Sequence, residues 1–166
     1  MIELNCSYEE SKKILELGYD FSKVCDRFFI KYKGYYGDTE GYFFKMNDSS
    51  DMFPLGATIS TYDEVWDHGI SLEHEHEEVT PIIPKAALLM ALPSFERTLV
   101  SKHYEHLSFV ADSDFRFIYL EETHSGNTFK VFDSEEGKEP ALIKAFLWCH
   151  EHYPEELKKK FDEVMG

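Results

Sequence analysis

The chain has 166 residues and a formal net charge of −15 at pH 7, with 43% hydrophobic and 16% aromatic residues. This length suffices for one domain with a buried core, and the hydrophobic content excludes a disordered chain. Because so strong a negative charge repels phosphates, the composition argues against direct binding of nucleic acid or of an anionic membrane. Basic partners and cations are the ligands that such a field attracts.

The N-terminus and the cysteines predict the compartment. The first six residues contain neither a basic region nor an apolar run, and the longest apolar run, Ala86 to Pro93, is far shorter than a membrane span of about 20 residues. We therefore expect a soluble, cytoplasmic protein. Cys6, Cys25 and Cys149 form no CxxC pair, so we expect small buried side chains rather than a disulfide framework or a zinc knuckle.

A helix is predicted near the N-terminus, over Tyr8–Leu17. Ser7 and Glu10 have the spacing of a capping box, in which each side chain accepts a hydrogen bond from the backbone N–H of the other residue. Gly18 suits the left-handed residue that follows a helix end. Both boundaries of this helix are therefore predicted from local chemistry.

The next stretches predict strands and one short helix. Alternating side chains indicate strands over Phe28–Lys33 and Tyr42–Met46, joined by a turn in the glycine-containing stretch Gly34–Gly41. The stretch Ile70–Val79 alternates weakly and is rich in His and Glu, which is typical of an edge strand or an exposed arm. Residues 84–92 predict a short, almost wholly apolar helix that we expect to be deeply buried.

The last third predicts an antiparallel meander followed by two helices. Short turns separate its three strands, which are Leu107–Val110, Phe115–Glu121 and Asn127–Phe132. A helix from Pro140 to His150 follows, and a final helix comes after Pro154. Residues at i, i+3, i+4 and i+7 give the first of these helices a broad apolar face, namely Leu142, Ala145, Phe146 and Cys149. So broad a face is typically covered by a sheet.

Together these elements predict an α+β fold, with a single domain over residues 1–166. We expect a single-layer antiparallel sheet of five or six strands packed against three or four helices, with the helix at Pro140 lying across the sheet. The sequence contains no internal repeat, linker or low-complexity segment.

The negative charge is concentrated between Met46 and Pro84, a region with nine acidic residues and no Lys or Arg. Aromatic residues flank the acids, and exposed aromatics beside acids are typical of a surface that binds a basic protein. The residues predicted to contact this partner are Asp63, Glu64, Trp66, Asp67, Glu73, Glu75, Glu77 and Glu78. The alternative is that the acids only aid solubility and that the aromatics line the core.

His74 and His76 form a candidate metal site. Residues two apart lie on one face of an extended segment, so both imidazoles point the same way and Glu78 shares their face. Two His on one strand face are half of a Zn or Ni site, which still needs a third ligand. No HExxH, CxxC or facial-triad spacing accompanies them, so the alternative is an acidic arm with incidental histidines.

The sequence contains no motif for catalysis or for an organic cofactor. Neither GxxxxGK nor GxGxxG occurs, and the glycines between Gly34 and Gly41 lie between two strands rather than between a strand and a helix. Cys149 lies on the predicted core stripe, where a thiol without a cationic neighbour is unreactive. We therefore predict no catalytic and no cofactor-binding residue, which favours a protein that is not an enzyme.

Three blocks of the sequence, taken in order, carry a resemblance to another group of proteins. They are Tyr8–Lys23, a helix followed by Leu-Gly-x-Asp-x-Ser-Lys; Pro81–Ser94, a short apolar helix closing on Leu-Pro; and Glu139–His152, an Ala-rich helix ending in Leu-Trp-Cys. In these blocks the chain resembles small uncharacterised proteins that recur in phages and prophages of gut bacteria. The resemblance implies a shared fold and a mobile-element origin, and it implies no activity, cofactor or catalytic residue.

Three functions follow as hypotheses. The leading one is a non-enzymatic accessory module that binds another protein through the acidic aromatic surface, with mimicry of nucleic acid as one version. The second is a metal-binding protein or metal-dependent enzyme that uses His74 and His76. The third is a structural homo-oligomer with an interface of exposed aromatics.

Overall fold

The computed structural model describes residues 4–34, 37–45, 51–54, 70–71, 76–98, 104–134 and 139–166. Within these ranges the chain forms four α-helices and two antiparallel sheets, which confirms the α+β class. It divides into two units, Asn5–Ile83 and Met1–Leu4 with Pro84–Gly166. The assignment of residues 1–166 to a single domain stays a prediction.

The unit Asn5–Ile83 contains one α-helix and a five-stranded sheet among its described residues. In chain order its elements are α1 (Tyr8–Glu16), a 3₁₀ turn (Ser22–Val24), β1 (Arg27–Gly34), β2 (Gly37–Lys45), β3 (Asp51–Pro54), β4 (Ile70–Ser71) and β5 (His76–Pro81). The strand order is β4-β3-β2-β1-β5, and all neighbouring pairs are antiparallel. β4 and β5 are therefore the two edges of this sheet.

Local hydrogen bonds explain both ends of α1. Ser7 Oγ accepts from the Glu10 N–H at 3.2 Å and the Ser7 N–H donates to Glu10 Oε1 at 2.9 Å, so the predicted capping box is confirmed. Gly18 follows the helix with a φ of +101°, in the region that glycine adopts without a Cβ clash. On the buried face of α1, Ser11 Oγ accepts from the Ile83 N–H at 3.2 Å, which holds the helix to the chain segment after β5.

β1 and β2 extend further than their alternating side chains predict. Gly34 pairs with Gly37, so the strands continue through most of the stretch predicted as a turn. Gly41 lies opposite the buried Ile30 with a φ of +154°, a conformation that L-residues rarely adopt. The glycine at this position marks irregular strand backbone rather than the end of a strand.

The segment predicted as one edge strand or arm, Ile70–Val79, contributes to both edges of the five-stranded sheet. Its start forms β4 and its end forms most of β5, while residues 72–75 lie outside the described ranges. In β5, Pro81 lies opposite Phe28 of β1. Pro81 has no N–H to donate, and an edge strand is where a sheet tolerates that loss.

The unit that contains Pro84–Gly166 has three α-helices and a four-stranded sheet among its described residues. In chain order its elements are α2 (Lys85–Met90), β6 (Phe95–Thr98), β7 (Tyr104–Ala111), β8 (Phe117–Glu122), β9 (Thr128–Asp133), α3 (Ala141–His152) and α4 (Pro154–Met165). The order β6-β7-β8-β9 confirms the predicted meander and adds β6, which sequence analysis missed. The expectation that α2 is deeply buried is wrong at Met90, which is 62% exposed.

α3 covers one face of the four-stranded sheet, as its apolar stripe predicts. The helix contacts β8 and β9. The buried residues of α3 are Ala141, Leu142, Ile143, Ala145, Phe146 and Cys149. At the margin of the helix, Lys144 Nζ donates to the Asp133 carbonyl oxygen at 2.7 Å, which ties α3 to the end of β9. α4 begins at Pro154 and buries Leu157.

The predicted single-layer sheet of five or six strands is corrected, because the described strands divide between a five-stranded and a four-stranded sheet. Alternation shows which residues of a strand share a face, but it does not show which strands are neighbours. β5 pairs with β1 and completes the first sheet before the meander begins. The number of α-helices, four among the described residues, agrees with the prediction.

Candidate interaction surfaces

The structure describes only part of the predicted acidic partner surface. Glu77 and Glu78 lie in β5, and of these two the side chain is described for Glu78 alone. The other residues predicted to contact a partner lie outside the described ranges, namely Asp63, Glu64, Trp66, Asp67, Glu73 and Glu75. Their assignment to a partner surface stays a prediction.

Glu78 is surrounded by partners from its own unit. The Tyr8 hydroxyl of α1 donates a hydrogen bond to Glu78 Oε1, and the Thr80 hydroxyl donates to the same oxygen at 3.3 Å. Lys12 Nζ lies 3.7 Å from Oε1, and Lys31 Nζ, from the residue opposite Glu78 in β1, lies 3.9 Å from Oε2. One carboxylate therefore links α1 to two strands of the sheet.

The electrostatics of this group follow from those contacts. The hydrogen bond from Tyr8, with the nearby Lys12 and Lys31 ammonium groups, lowers the pKa of Glu78. Acceptance of that hydrogen bond by a carboxylate raises the pKa of Tyr8. The contact with Tyr8 and the charge of Glu78 raise the pKa of Lys12. The geometry favours a structural role for Glu78, and its assignment as a partner-binding residue stays a prediction.

A bulge in β5 changes the argument for the candidate metal site. Glu78 pairs with Lys31 and His76 pairs with Tyr32, so Glu77 is an extra residue between two consecutive pairs. This interruption removes the regular alternation from which Glu78 was expected to share a face with His76. His74 lies outside the described ranges. Among the residues that the structure describes, no group of three or more His, Cys, Asp or Glu is arranged to hold a metal ion.

The three cysteines are buried and none forms a disulfide. Burial raises the pKa of the Cys149 thiol to about 12, and burial together with the Asp20 and Asp26 carboxylates raises that of Cys25 to about 12. Because the thiolate is the nucleophilic form, both side chains are unreactive near neutral pH. They act as small core residues, as the sequence predicts.

The four-stranded sheet has a second face, opposite α3, which we call the outer face. Residues that lie directly opposite each other in neighbouring strands share a face, so the backbone pairing assigns its members. They are Glu96, His106, Ser108, Val110, Phe117, Tyr119, Glu121, Thr128, Val131 and Asp133. None of the residues predicted to contact a partner lies on this face.

An apolar row crosses the outer face. Val110 lies opposite Tyr119 and Tyr119 lies opposite Val131, so their Cβ atoms are about 5 Å apart from strand to strand. Val110 is 43% exposed and Val131 is 48% exposed, whereas Ile118 and Leu120 on the opposite face are fully buried. The row is therefore open on the side away from α3.

Carboxylates lie at one end of the outer face, and the nearer of them to this row is Glu121, two residues from Tyr119 along β8. Glu121 has neutral cross-strand neighbours, Ser108 in β7 and Thr128 in β9. Glu96 lies on β6, and no Lys or Arg is a member of the outer face as defined above. Arg116, just before β8, is exposed, and its guanidinium lies 5.9 Å from the ring centroid of Phe117, so it is a cation at that end of the face. The outer face is thus apolar at its centre and acidic at the end that carries Glu121 and Glu96.

The other face carries an aromatic cluster around Trp148 of α3. Ring centroids lie 5.4–6.5 Å from that of Trp148 for Phe95, Phe109, Phe132, His152 and Tyr153. Lys130 Nζ lies 5.7 Å from the Trp148 ring, within the range of a cation–π contact. Phe95 stacks on Tyr153 at 4.4 Å, so the cluster attaches the edge strand β6 to the end of α3. We interpret it as packing that widens the apolar stripe of α3.

Two strands carry a sequence signal for the outer face. Apolar residues occupy both phases of the alternation, as with Tyr119 beside Leu120 in β8 and Val131 beside Phe132 in β9. A strand that is apolar in both phases either is covered on both faces or exposes apolar surface. Only the tertiary structure distinguishes these two cases.

No protein-family model, curated protein or solved structure matches the chain at a significant level. The resemblance to phage and prophage-type proteins therefore stays a prediction. Among the described parts of the chain, no helix combines the length and the apolar character that a membrane span requires.

Proposed function

We propose that the protein is a small acidic accessory protein of phage or prophage type that binds another protein without catalysing a reaction. The observation that carries this proposal is the distribution of charge. Nine of the 32 acidic residues and none of the 17 basic residues lie between Met46 and Pro84. A basic protein surface is the partner that such a region attracts, and the attraction accelerates the encounter of the two proteins.

The environment of Glu78 reduces the set of acidic residues that we propose to bind the partner. Its carboxylate accepts a hydrogen bond from the Tyr8 hydroxyl and forms ion pairs with Lys12 and Lys31. The negative charge of Glu78 is therefore already compensated within the protein. Removal of Glu78 would change the protein itself as well as any partner contact. The binding surface that we propose therefore rests on Glu73, Glu75 and Glu77, with Asp63, Glu64, Trp66 and Asp67.

Mimicry of nucleic acid is the narrower version of the proposal. It requires carboxylates that are free and regularly spaced like phosphates, and a carboxylate tied to lysines does not meet that requirement. Glu78 is therefore excluded from the mimicking set, which has to come from residues 63–77. Capture of a DNA-binding protein, released by competing DNA, would support this version over a general basic partner.

The test is affinity capture from a bacterial lysate at about 50 mM and about 300 mM salt, since salt screens contacts between exposed charges. The informative variant combines Glu73→Gln, Glu75→Gln and Glu77→Gln and leaves Glu78 intact. We expect the wild type to retain a basic protein at low salt and the variant to lose it. In thermal unfolding, the wild type and the variant should have the same melting temperature.

A matched control removes the same charge elsewhere. Glu155, Glu156 and Glu163 are exposed residues of α4, and their replacement by Gln also removes three negative charges. We expect this control to retain the partner. Equal loss with both triple variants would show that net charge alone determines capture, and the proposed surface would then be rejected.

A further inference from the structure

The outer face of the four-stranded sheet has the composition of a protein-docking surface. Val110, Tyr119 and Val131 form a continuous row across three strands, and both valines are more than 40% exposed. Phe129, which is 43% exposed, is the extra residue at the bulge where β9 pairs with β8. Single exposed apolar residues need no explanation, but a continuous apolar row with a polar margin is typical of an interaction site.

On the opposite face of the same sheet, the apolar side chains are covered by a helix. α3 lies against β8 and β9, and the residues beneath it include the fully buried Ile118 and Leu120. Neighbouring residues of these strands alternate between the two faces, so the outer face presents rows at the same spacing. An amphipathic helix is therefore a shape that fits this sheet.

Charge selects the kind of helix. The outer face carries the carboxylates of Glu96, Glu121 and Asp133, and none of its defined members is Lys or Arg. Two cations lie at its Phe117 end, because Arg116 is 5.9 Å from the Phe117 ring centroid and Lys144 of α3 is 3.8 Å from Asp133. The charge without a cationic neighbour is therefore at the other end, at Glu121 and Glu96. A helix with basic residues beside its apolar stripe is attracted to such a margin, and an acidic helix is repelled. Charge also disfavours a second copy of this chain on the outer face, because each copy has a net charge of −15 and would bring identical carboxylates together.

We propose that the outer face docks a basic amphipathic helix of a partner protein. The apolar stripe of that helix covers Val110, Tyr119 and Val131, and its Lys or Arg side chains reach Glu96 and Glu121. This inference does not depend on the acid-rich region proposed above, since the two surfaces have no residue in common. Each can therefore fail without the other.

The test uses the full chain and a synthetic helix of about 18 residues, long enough to form stable turns, with a Leu stripe flanked by Lys. A second peptide keeps the Leu stripe and replaces every Lys with Glu. Affinity is measured by fluorescence anisotropy, and the methyl resonances of Val110 and Val131 report the site. We expect the Lys peptide to bind and to shift both methyl resonances, and the Glu peptide not to bind.

Val131→Lys is the informative variant, because it places a cation in the centre of the row. We expect it to weaken binding of the Lys peptide by about tenfold or more, since it removes apolar contact and adds repulsion. Met90→Lys is the matched control, with the same charge change at an exposed apolar residue of α2. Val131→Thr is a second variant in case Val131→Lys does not fold, because threonine keeps the β-branched shape that strands favour. We expect Val131→Thr to fold and to bind the Lys peptide less tightly than the wild type does.

The remaining outcomes overturn the proposal. Equal effects of Val131→Lys and Met90→Lys would place the peptide elsewhere. Binding of the Glu peptide would contradict the charge argument. A dimer that Val131→Lys converts to a monomer would make a second copy the occupant, and a monomer that binds neither peptide would leave the face without a docking role. The variant with Gln at Glu73, Glu75 and Glu77 should still bind the Lys peptide, which separates this result from the capture experiment.

Discussion

Glu78 of the five-stranded sheet and Glu121 of the four-stranded sheet lie in opposite environments. In the five-stranded sheet Glu78 lies opposite Lys31 and accepts a hydrogen bond from Tyr8 of α1. In the four-stranded sheet Glu121 lies between Ser108 and Thr128, which are neutral. Both residues belong to short acidic runs in the sequence, yet one carboxylate is used to hold the fold together and the other lies beside an open apolar row. The residue across the sheet decides the difference.

This comparison changes how the acidity of the chain is interpreted. A net charge of −15 describes solubility and long-range attraction, but it does not show which carboxylates a partner can reach. A carboxylate opposite a lysine is partly neutralised, whereas one opposite hydroxyl groups keeps its charge for a partner. Four experiments test this difference between the two sheets.

The largest effect separates the covered face of the four-stranded sheet from its outer face. Ile118 is fully buried, so we expect Ile118→Ala to lower the free energy of unfolding by about 2–5 kcal/mol, because it leaves a cavity in the core. Val110→Ala, on the exposed face, should cost less than about 1 kcal/mol. Urea unfolding measures both values. Similar losses would show that the outer face is covered in solution.

The next effect compares the two carboxylates directly. We expect Glu78→Gln to lower the free energy of unfolding by about 1 kcal/mol, because a charge-assisted hydrogen bond and two partly exposed ion pairs are weakened. Glu121→Gln should leave unfolding unchanged within error. A double-mutant cycle with Tyr8→Phe tests the assignment, and it should show coupling with Glu78→Gln but none with Glu121→Gln.

The stability difference between the wild type and Glu78→Gln should also depend on pH, and the direction of this smaller effect follows from the pKa shifts. The pKa of Glu78 is lowered in the folded protein, so its contribution is present above the ordinary carboxyl pKa of about 4.3 and is lost as the pH falls through the lower folded value. The pKa of Tyr8 is raised, so its contribution is lost only as the pH rises through a value above its ordinary one. The stability difference between wild type and Glu78→Gln should therefore be constant from about pH 6 to pH 8 and shrink under acid. A difference that grows on acidification would contradict the assignment.

The smallest expected effect concerns the buried thiols of Cys25 and Cys149, which should not react in the native protein. With a pKa of about 12, Cys25 and Cys149 hold only about one thiolate in ten thousand at pH 8, and both are buried. We expect a disulfide reagent to modify neither residue in the native protein within an hour and to modify both in denaturant. Rapid labelling of native Cys149 would show that α3 opens, and it would weaken the assignment of this helix to the core.

The local features of this fold are predictable from the sequence, and its pairings are not. Ser7 and Glu10 cap α1 as their spacing predicts, and the stripe that includes Phe146 and Cys149 is buried as its periodicity predicts. The glycine-containing stretch is mainly strand instead of turn, because Gly41 adopts a backbone conformation inside β2 that other residues avoid. In the candidate metal site, the expectation that Glu78 shares a face with His76 depended on regular alternation in β5, which a bulge at Glu77 interrupts. The pairing of His74 with His76 stays a prediction, because His74 lies outside the described ranges.

Features that depend on residues within one helical turn or one strand are predictable from the sequence, because the interacting residues are only a few positions apart. These include the helix ends, the buried face of α3 and the alternation of the meander. Three features required the tertiary structure: the division of the strands into two sheets, the position of Glu78 opposite Lys31, and the exposure of Val110 in β7 and Val131 in β9. These features depend on residues that are far apart in the chain, and the residues of one strand do not identify the strand with which it pairs.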